Sequence, residues 1–383
     1  MKYFIIAGEA SGDLHGSNLM RAIKANDADA EFRFLGGDLM QAQGGEPLIH
    51  LKQLAFMGFI PVLLHLRTIL RNMSITREAI RFFHPDVIIL IDYPSFNLRI
   101  ARFVKQNFNV PVYYYISPKI WAWKTFRIKE IKRYIDAVLV IFPFEVAFYR
   151  QHDYFNVFYV GNPLMDAVPD PDSASVKTAS FLKSNAFDNR PIVALLAGSR
   201  QKEIRDNLPL MLSVVAHYPQ YQFVIAGAPG IDKEFYNAFL QPNVDVHVVF
   251  NQTYDLLNVA FAAIVTSGTA TLETALLNVP QVVVYHLTPA RLTPLLKKWI
   301  IKIPYISLVN IIAQKQVVVE LIGAEVTTRR LVDELRQITE NELFRANILN
   351  DYNVIRQMLG ARGASEMAAS KILELLQAPA ASE

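Results

Sequence analysis

Cysteine is absent from the 383 residues. That gap removes disulfide scaffolds, Cys-ligated zinc, iron–sulfur clusters and thiol nucleophiles. The eight histidines are scattered, with no HExxH and no close pair at helical spacing, so a protein-bound metal is not expected. No sign of charge dominates: 38 Lys and Arg stand against 35 Asp and Glu, a net charge of +3, which argues against a general nucleic-acid binder. Long hydrophobic runs are missing too. The longest, residues 54–66, contains Gly58, Pro61 and His65, whereas a membrane-spanning helix needs about 20 apolar residues. The apolar start of the chain stops at Gly8 and meets Glu9 and Asp13, too short for a signal peptide and better read as a buried first strand.

What is present is a large apolar content. Hydrophobic residues make up 52% and charged residues 19%, which excludes disorder for most of the chain. At roughly 150 residues per domain, the length suits two large domains. Short apolar runs alternate with helical patterns, the signature of βαβ units and a mostly parallel sheet. Strands are expected at 3–7, 32–35, 87–91, 112–116, 137–141 and 157–160, then at 192–196, 222–226, 246–250, 262–265 and 281–285. Helices are expected over stretches such as 16–24, 75–83, 208–217 and 270–277. The fold class is therefore α/β, with two Rossmann-like doubly wound domains and ligand sites at the carboxyl ends of the strands. The expected division is a first domain over 1–166, a Pro/Asp/Ser-rich linker over 167–180 and a second domain over 181–362. A helix and tail over 363–383 complete the chain, with packing back on the first domain as one option.

The loops after the strands carry the candidate chemistry. Gly8-Glu9-Ala10-Ser11-Gly12-Asp13 opens a helix after the first strand. Its glycines allow tight turns, but their spacing is not GxGxxG, so a dinucleotide site is poorly supported. Either Ser11 or Asp13 caps the helix, or the loop meets a ligand. Asp92 follows the apolar strand 87–91, where partial desolvation raises a carboxyl pKa and improves it as a proton acceptor. The plain alternative is a turn stabiliser before Pro94. Residues 119–133 hold six basic residues, one acid and two of the three tryptophans. This fits a sugar phosphate or membrane surface, or else a solvated helix face anchored by Trp.

In the second half, Gly198-Ser199-Arg200 and Ser267-Gly268-Thr269 each follow a strand and open a helix. Their turn amides suit a phosphate, and Arg200 can clamp it with two parallel hydrogen bonds. Glu273 lies one turn past Thr269, where a carboxylate suits ribose hydroxyls. Two such loops without a GxxxxGK[ST] motif point to a nucleoside diphosphate bound without Walker chemistry. Residues 56–71 and 291–302 combine apolar and basic character, as interfacial helices do, although helices buried in their own domain are the default reading.

The ordered set GEASGD at 8–13, IDYPSFN at 91–97, Ser117-Pro118 with Trp121-Ala122-Trp123, FPFE at 142–145, Gly198-Ser199-Arg200, SGTATLE at 267–273 and YISLVN at 305–310 resembles the lipid A disaccharide synthase family from residue 3 to about residue 320. The resemblance implies a GT-B architecture, two Rossmann-like domains facing a cleft. It also implies an inverting glycosyltransferase that moves 2,3-diacylglucosamine from its UDP donor to the 6-hydroxyl of 2,3-diacylglucosamine 1-phosphate. By resemblance Asp92 is the catalytic base, and Arg200, Glu273 and Asn310 are nucleotide-binding. The loop reading adds Ser199, Ser267, Gly268 and Thr269 on the donor side, and placement adds Glu9, Ser11 and Asp13 for the acceptor or reacting sugar. No metal and no cofactor are implied. The expected partners are the two substrates and an anionic membrane surface, with no nucleic acid and a homodimer left open. The implied location is cytoplasmic, peripheral to the inner membrane. The family pattern is departed from at Ala197 and Val309, where Pro is frequent, and at Asn162, where His is frequent. Asp170-Pro171-Asp172 lies in the linker away from any strand end, so it is rejected as a DxD metal site. The nearest rivals are another UDP-sugar GT-B enzyme, either a peptidoglycan-type transferase or a UDP-sugar 2-epimerase. Beyond these stand a non-catalytic peripheral membrane protein and, last, a dehydrogenase.

Overall fold

The computed structural model describes residues 1–51, 66–122, 125–169, 175–240, 245–285 and 304–377. The chain forms two compact units. The first takes residues 1–166 together with 359–383, and the second takes 167–358.

The first unit is built on a seven-stranded, all-parallel sheet: β1 (Lys2–Ala7), β2 (Glu31–Gly36), β3 (Glu46–His50), β4 (Val87–Ile91), β5 (Val112–Tyr115), β6 (Ala137–Val140) and β7 (Val157–Tyr159). Their order across the sheet is β3-β2-β1-β4-β5-β6-β7, so the chain reverses direction of growth beside β1. Alternation along β1 explains why both faces are covered. Phe4 and Ile6 enter one buried cluster, and Tyr3, Ile5 and Ala7 enter the other. A strand buried on both faces reads as a continuous apolar run, which is how β1 and β4 appear in the sequence.

The second unit repeats the plan with six parallel strands: β8 (Ile192–Leu196), β9 (Gln222–Gly227), β10 (Val246–Phe250), β11 (Ala260–Thr266), β12 (Gln281–Tyr285) and β13 (Glu320–Ile322). The order β10-β9-β8-β11-β12-β13 places the reversal beside β8. All eleven expected strands form. Of the four edge strands, β3 and β13 had no expectation: Pro47 lies inside the first, and the second is three residues long.

Some expectations shift. The helix expected over 208–217 is Gln201–Leu212, followed by a single turn at Val215–His217. A helix, Ser175–Ser184, begins inside the stretch read as linker. Segment 56–71 lies outside the described residues as far as residue 65, and 291–302 wholly so, as do Trp123, Lys124 and 170–172. Among the described residues no helix is long and apolar enough to cross a membrane.

The C-terminal helix Ala364–Gln377 belongs to the first unit: Ala368, Ala369 and Ile372 are buried in the same cluster as Leu19, Ile23 and the β1 side chains. Its entry is fixed by polar contacts. The Asp166 carboxylate accepts from the Gly363 and Ala364 amides at 2.6 and 3.1 Å, and the Tyr159 hydroxyl donates to the Leu359 carbonyl at 2.6 Å. Gly161 has φ +84, and a Cβ there would lie 2.7 Å from Met367. Asp166→Ala should lower stability by about 1 kcal/mol, the usual worth of a helix cap. It should also speed limited proteolysis within residues 359–383. Protease sensitivity equal to wild type would show that apolar contacts alone hold this helix.

Candidate active site

In the first unit the loops after β1, β4, β5 and β6 meet at the carboxyl edge of the sheet. Asp92 leaves β4 with φ +42 and Tyr93 follows with φ +46. Left-handed backbone at two consecutive non-glycine residues costs on the order of 1–3 kcal/mol each, so the surroundings must enforce it. They do so through the Asp92 carbonyl, which accepts from the Asn97 side chain at 2.7 Å and from the buried Tyr114 hydroxyl. The Asp92 amide donates to Ile116 at 3.3 Å. Pro94 then starts the helix Pro94–Asn107. The main chain of Asp92 is thereby pinned while its carboxyl is carried just beyond the strand. Burial raises the Asp92 pKa, opposed by the charges of Lys119 and Arg127 and by the Tyr93 amide.

Glu9 joins this group. A Cβ on Gly8 would lie 2.3 Å from the Tyr93 ring, so only glycine lets Tyr93 lie against the first loop. The Glu9 charge reaches the Tyr93 phenol and, after burial, helps raise its pKa. Ser11 is exposed in the first turn of the helix Ala10–Asn26. Asp13 is placed differently from expectation. It is 5% exposed, and its carboxylate accepts from the amides of Gly37, Leu39 and Met40 at 2.8, 3.1 and 3.0 Å. It therefore caps the helix Asp38–Ala42, not its own, and its oxygens are committed there.

A second carboxyl lies under the same edge. Glu145 is 1% exposed; it accepts from the Trp121 indole and the Phe142 amide, each at 3.1 Å. It thus ties the loop after β5 to the start of the helix Pro143–Gln151.

In the second unit the loops after β8, β9 and β11 enclose a cavity of about 300 Å³. It opens where β8 and β11 lie side by side, the reversal point at which open α/β sheets bind ligands. Gly198, Ser199, Arg200, Ser267, Gly268, Thr269 and Glu273 all line it. Gly198 has φ +120, and a Cβ there would meet Glu203 at 2.7 Å. Glu203, given no role by sequence, accepts the Ser199 amide at 3.0 Å and lies 3.6 Å from Arg200. The Ser267 amide continues the ladder to Val284 at 3.0 Å, and its hydroxyl donates to Ile306 at 3.0 Å. Gly268, Thr269 and Ala270 stand at the start of the helix Thr269–Leu276, whose first amides have no intrahelical acceptor. Glu273 accepts from the Tyr254 hydroxyl at 2.8 Å. Burial raises its pKa and that hydrogen bond lowers it. Tyr254 lies in a separate helix, Thr253–Val259, and no spacing in the sequence links it to Glu273.

Asn310 is not brought to the cavity wall. Its side chain is fully buried, donating to Val318 and Glu320 at 2.8 and 2.9 Å and accepting from the Val317 and Val318 amides at 2.7 and 2.9 Å. Glu320 also accepts from the Ile306 and Ser307 amides, each at 2.9 Å. Asn310 therefore braces the segment whose Ile306 carbonyl receives Ser267. Asn162, one of the departures from the family pattern, is buried and bridges the Ile141 carbonyl and the Leu164 amide, each at 3.0 Å.

Burial pushes the Glu145 carboxyl from 4.5 up to about 7, against the Phe142 amide, the Trp121 indole, the Ile141 backbone and the charge of Lys119. The folded chain then holds this proton to higher pH than the unfolded chain does. The associated stability is fully present below the unfolded value and is lost as pH rises through the folded one, by about 3 kcal/mol in all. Glu145→Gln does not titrate. The difference in Tm, wild type minus variant, should therefore shrink from about pH 5 to about pH 8. A gap constant across that range would contradict the assignment.

A family model described as lipid-A-disaccharide synthetase matches residues 3–373. The lipid-A-disaccharide synthase of Myxococcus xanthus is 38% identical over 380 residues, covering 98% of this chain and 97% of that protein. Its namesake in Geobacter metallireducens is 36% identical over the same shares. Among solved structures, a UDP-GlcNAc 2-epimerase from Neisseria meningitidis bound to UDP-GlcNAc superposes with TM-score 0.68 at 13% identity, covering 98% of this chain and all of that one. A sucrose-phosphate synthase from Thermosynechococcus elongatus gives 0.59 at 13% identity, covering 98% and 99%; these two likenesses show the fold alone. The tandem doubly wound sheets are of the GT-B type, and the match in sequence runs through both of them, so the chain belongs to the lipid-A-disaccharide synthase family of glycosyltransferases.

Proposed function

We propose that the chain performs its family's transfer as a single inverting displacement. The 6-hydroxyl of 2,3-diacylglucosamine 1-phosphate attacks the anomeric carbon of UDP-2,3-diacylglucosamine. The bond from that carbon to the diphosphate breaks, UDP leaves with the electron pair, and the β-1,6 disaccharide 1-phosphate forms. Asp92 takes the hydroxyl proton. The observation that carries this assignment is a carboxyl held just past the end of β4 by left-handed backbone, with burial raising its pKa. Once deprotonated, such a group accepts a proton more readily than an exposed aspartate. Glu9 and Ser11 order the acceptor sugar, and Asp13 supports their helix by its ties to the residues before β3.

On the donor side, Arg200 and the amides at Gly268 and Thr269 receive the diphosphate, and Glu273, oriented by Tyr254, accepts from ribose hydroxyls. Charge that grows on the leaving oxygens meets donors already fixed in place, which lowers the barrier more than it tightens ground-state binding. The Ser199 amide becomes available when phosphate displaces Glu203. Asn310 and Glu320 act indirectly, through Ile306 and Ser267. The acyl chains of both substrates place the reaction at a membrane surface, and we assign contact with anionic lipid to the basic and apolar residues 291–302.

The decisive assay incubates the purified chain with both diacylated substrates and looks by mass for a tetraacyl disaccharide phosphate and UDP. Absence of that product, or turnover of UDP-GlcNAc without acceptor, would remove the reading. Asp92→Asn should lower kcat by about 10²- to 10⁴-fold with UDP affinity little changed. In the wild type, kcat/KM should fall on the acid side around a pKa above the ordinary aspartate range, because only the deprotonated carboxylate works. That limb should vanish in the variant.

A further inference from the structure

Thr266 is the last residue of β11 and lines the cavity of the second unit. It is 6% exposed, and its hydroxyl is buried with no hydrogen-bond partner among the described residues. An unpaired buried hydroxyl costs about 1–3 kcal/mol, and valine would fill nearly the same volume without that cost. The hydroxyls of the residues that follow are paired within the protein: Thr271 donates to the Gly268 carbonyl at 2.8 Å and Ser267 to the Ile306 carbonyl at 3.0 Å.

The position of the hydroxyl says what would pair with it. Val265, just before it, pairs in register with Leu196 at the end of β8, so Thr266 stands at the floor of the crevice where the strand order reverses. Two helices begin at that floor, Gln201–Leu212 after β8 and Thr269–Leu276 after β11. Both direct their amino ends, and so positive potential, toward the same space. Gly268 leaves open room there, with nothing among the described residues within 4 Å of where a Cβ would stand. An anionic oxygen is the ligand that field favours, and a hydroxyl beside it has a proton to donate to it.

We infer that the Thr266 hydroxyl is a binding contact that donates a hydrogen bond to a phosphate oxygen of the nucleoside diphosphate held between β8 and β11. The inference rests on reading this cavity as the donor site. The full chain is titrated calorimetrically with UDP and with uridine, as wild type, Thr266→Val and Thr266→Ser, and the Tm of each unliganded protein is recorded. Valine should weaken UDP binding about 10- to 150-fold, the loss of one hydrogen bond to a charged group. It should leave uridine binding unchanged and leave the unliganded Tm equal or higher. Serine should stay within about threefold of wild type. UDP binding unchanged by valine overturns the inference while leaving the donor site intact. An equal loss for UDP and uridine also overturns it, because the hydroxyl would then meet the nucleoside. A lowered unliganded Tm with serine failing to rescue UDP affinity would mark a purely structural role. Failure of the wild-type chain to bind UDP would overturn the donor-site reading itself.

Discussion

In each sheet the strand that comes first in sequence ends in the interior, with its successors on one side and the later strands on the other. This single topological constraint opens a crevice beside the carboxyl ends of β1 and β8, because the loops on either side of it run off in opposite directions. The two crevices are used differently. Beside β1, Tyr93 covers the backbone of Gly8, and the pinned turn that holds it also presents Asp92. Beside β8 the space stays open as a cavity, floored by Thr266 and rimmed by the loops at Gly198 and Gly268. One architecture thus supplies a filled crevice that presents a carboxyl and an open one lined by loop and helix amino ends.

Carboxylates divide along the same line. Asp13, Asp166 and Glu320 each accept two or more main-chain amides and act as internal clasps. Their negative charge meets partial positive charge on N–H groups, which is how a buried carboxylate avoids most of its desolvation cost. Asp92 and Glu273 have their pKa values raised by burial. Glu203 lies between the two kinds, since the group it satisfies is an amide at a site suited to phosphate.

Much of this was legible in the residues. Strands buried on both faces, such as 87–91 and 192–196, announce themselves as apolar runs, and so locate the loops that follow them. Asp92, Arg200 and Glu273 stand where those loops carry them. Two of the four edge strands, β3 and β13, escaped notice because the first is interrupted by Pro47 and the second is three residues long. Asp13 and Asn310 show the other limit: a polar residue in a motif names a capacity for hydrogen bonding but not the partner, and here the partners are amides in other segments, beyond β2 for Asp13 and just before β13 for Asn310. Tyr254 and Glu320 touch site elements only after folding brings separate segments together, which no local spacing encodes.

The return of helix Ala364–Gln377 to the first unit bears on the order of assembly during synthesis. Residues 167–358 form the second unit from one continuous stretch of chain, whereas the cluster around β1 lacks Ala368, Ala369 and Ile372 until residues 364–377 have been made. The unit begun first is completed last. Until then that flank of its sheet is covered only in part, by the helix Ala10–Asn26, and the remainder is the kind of apolar surface that chaperones bind on a nascent chain.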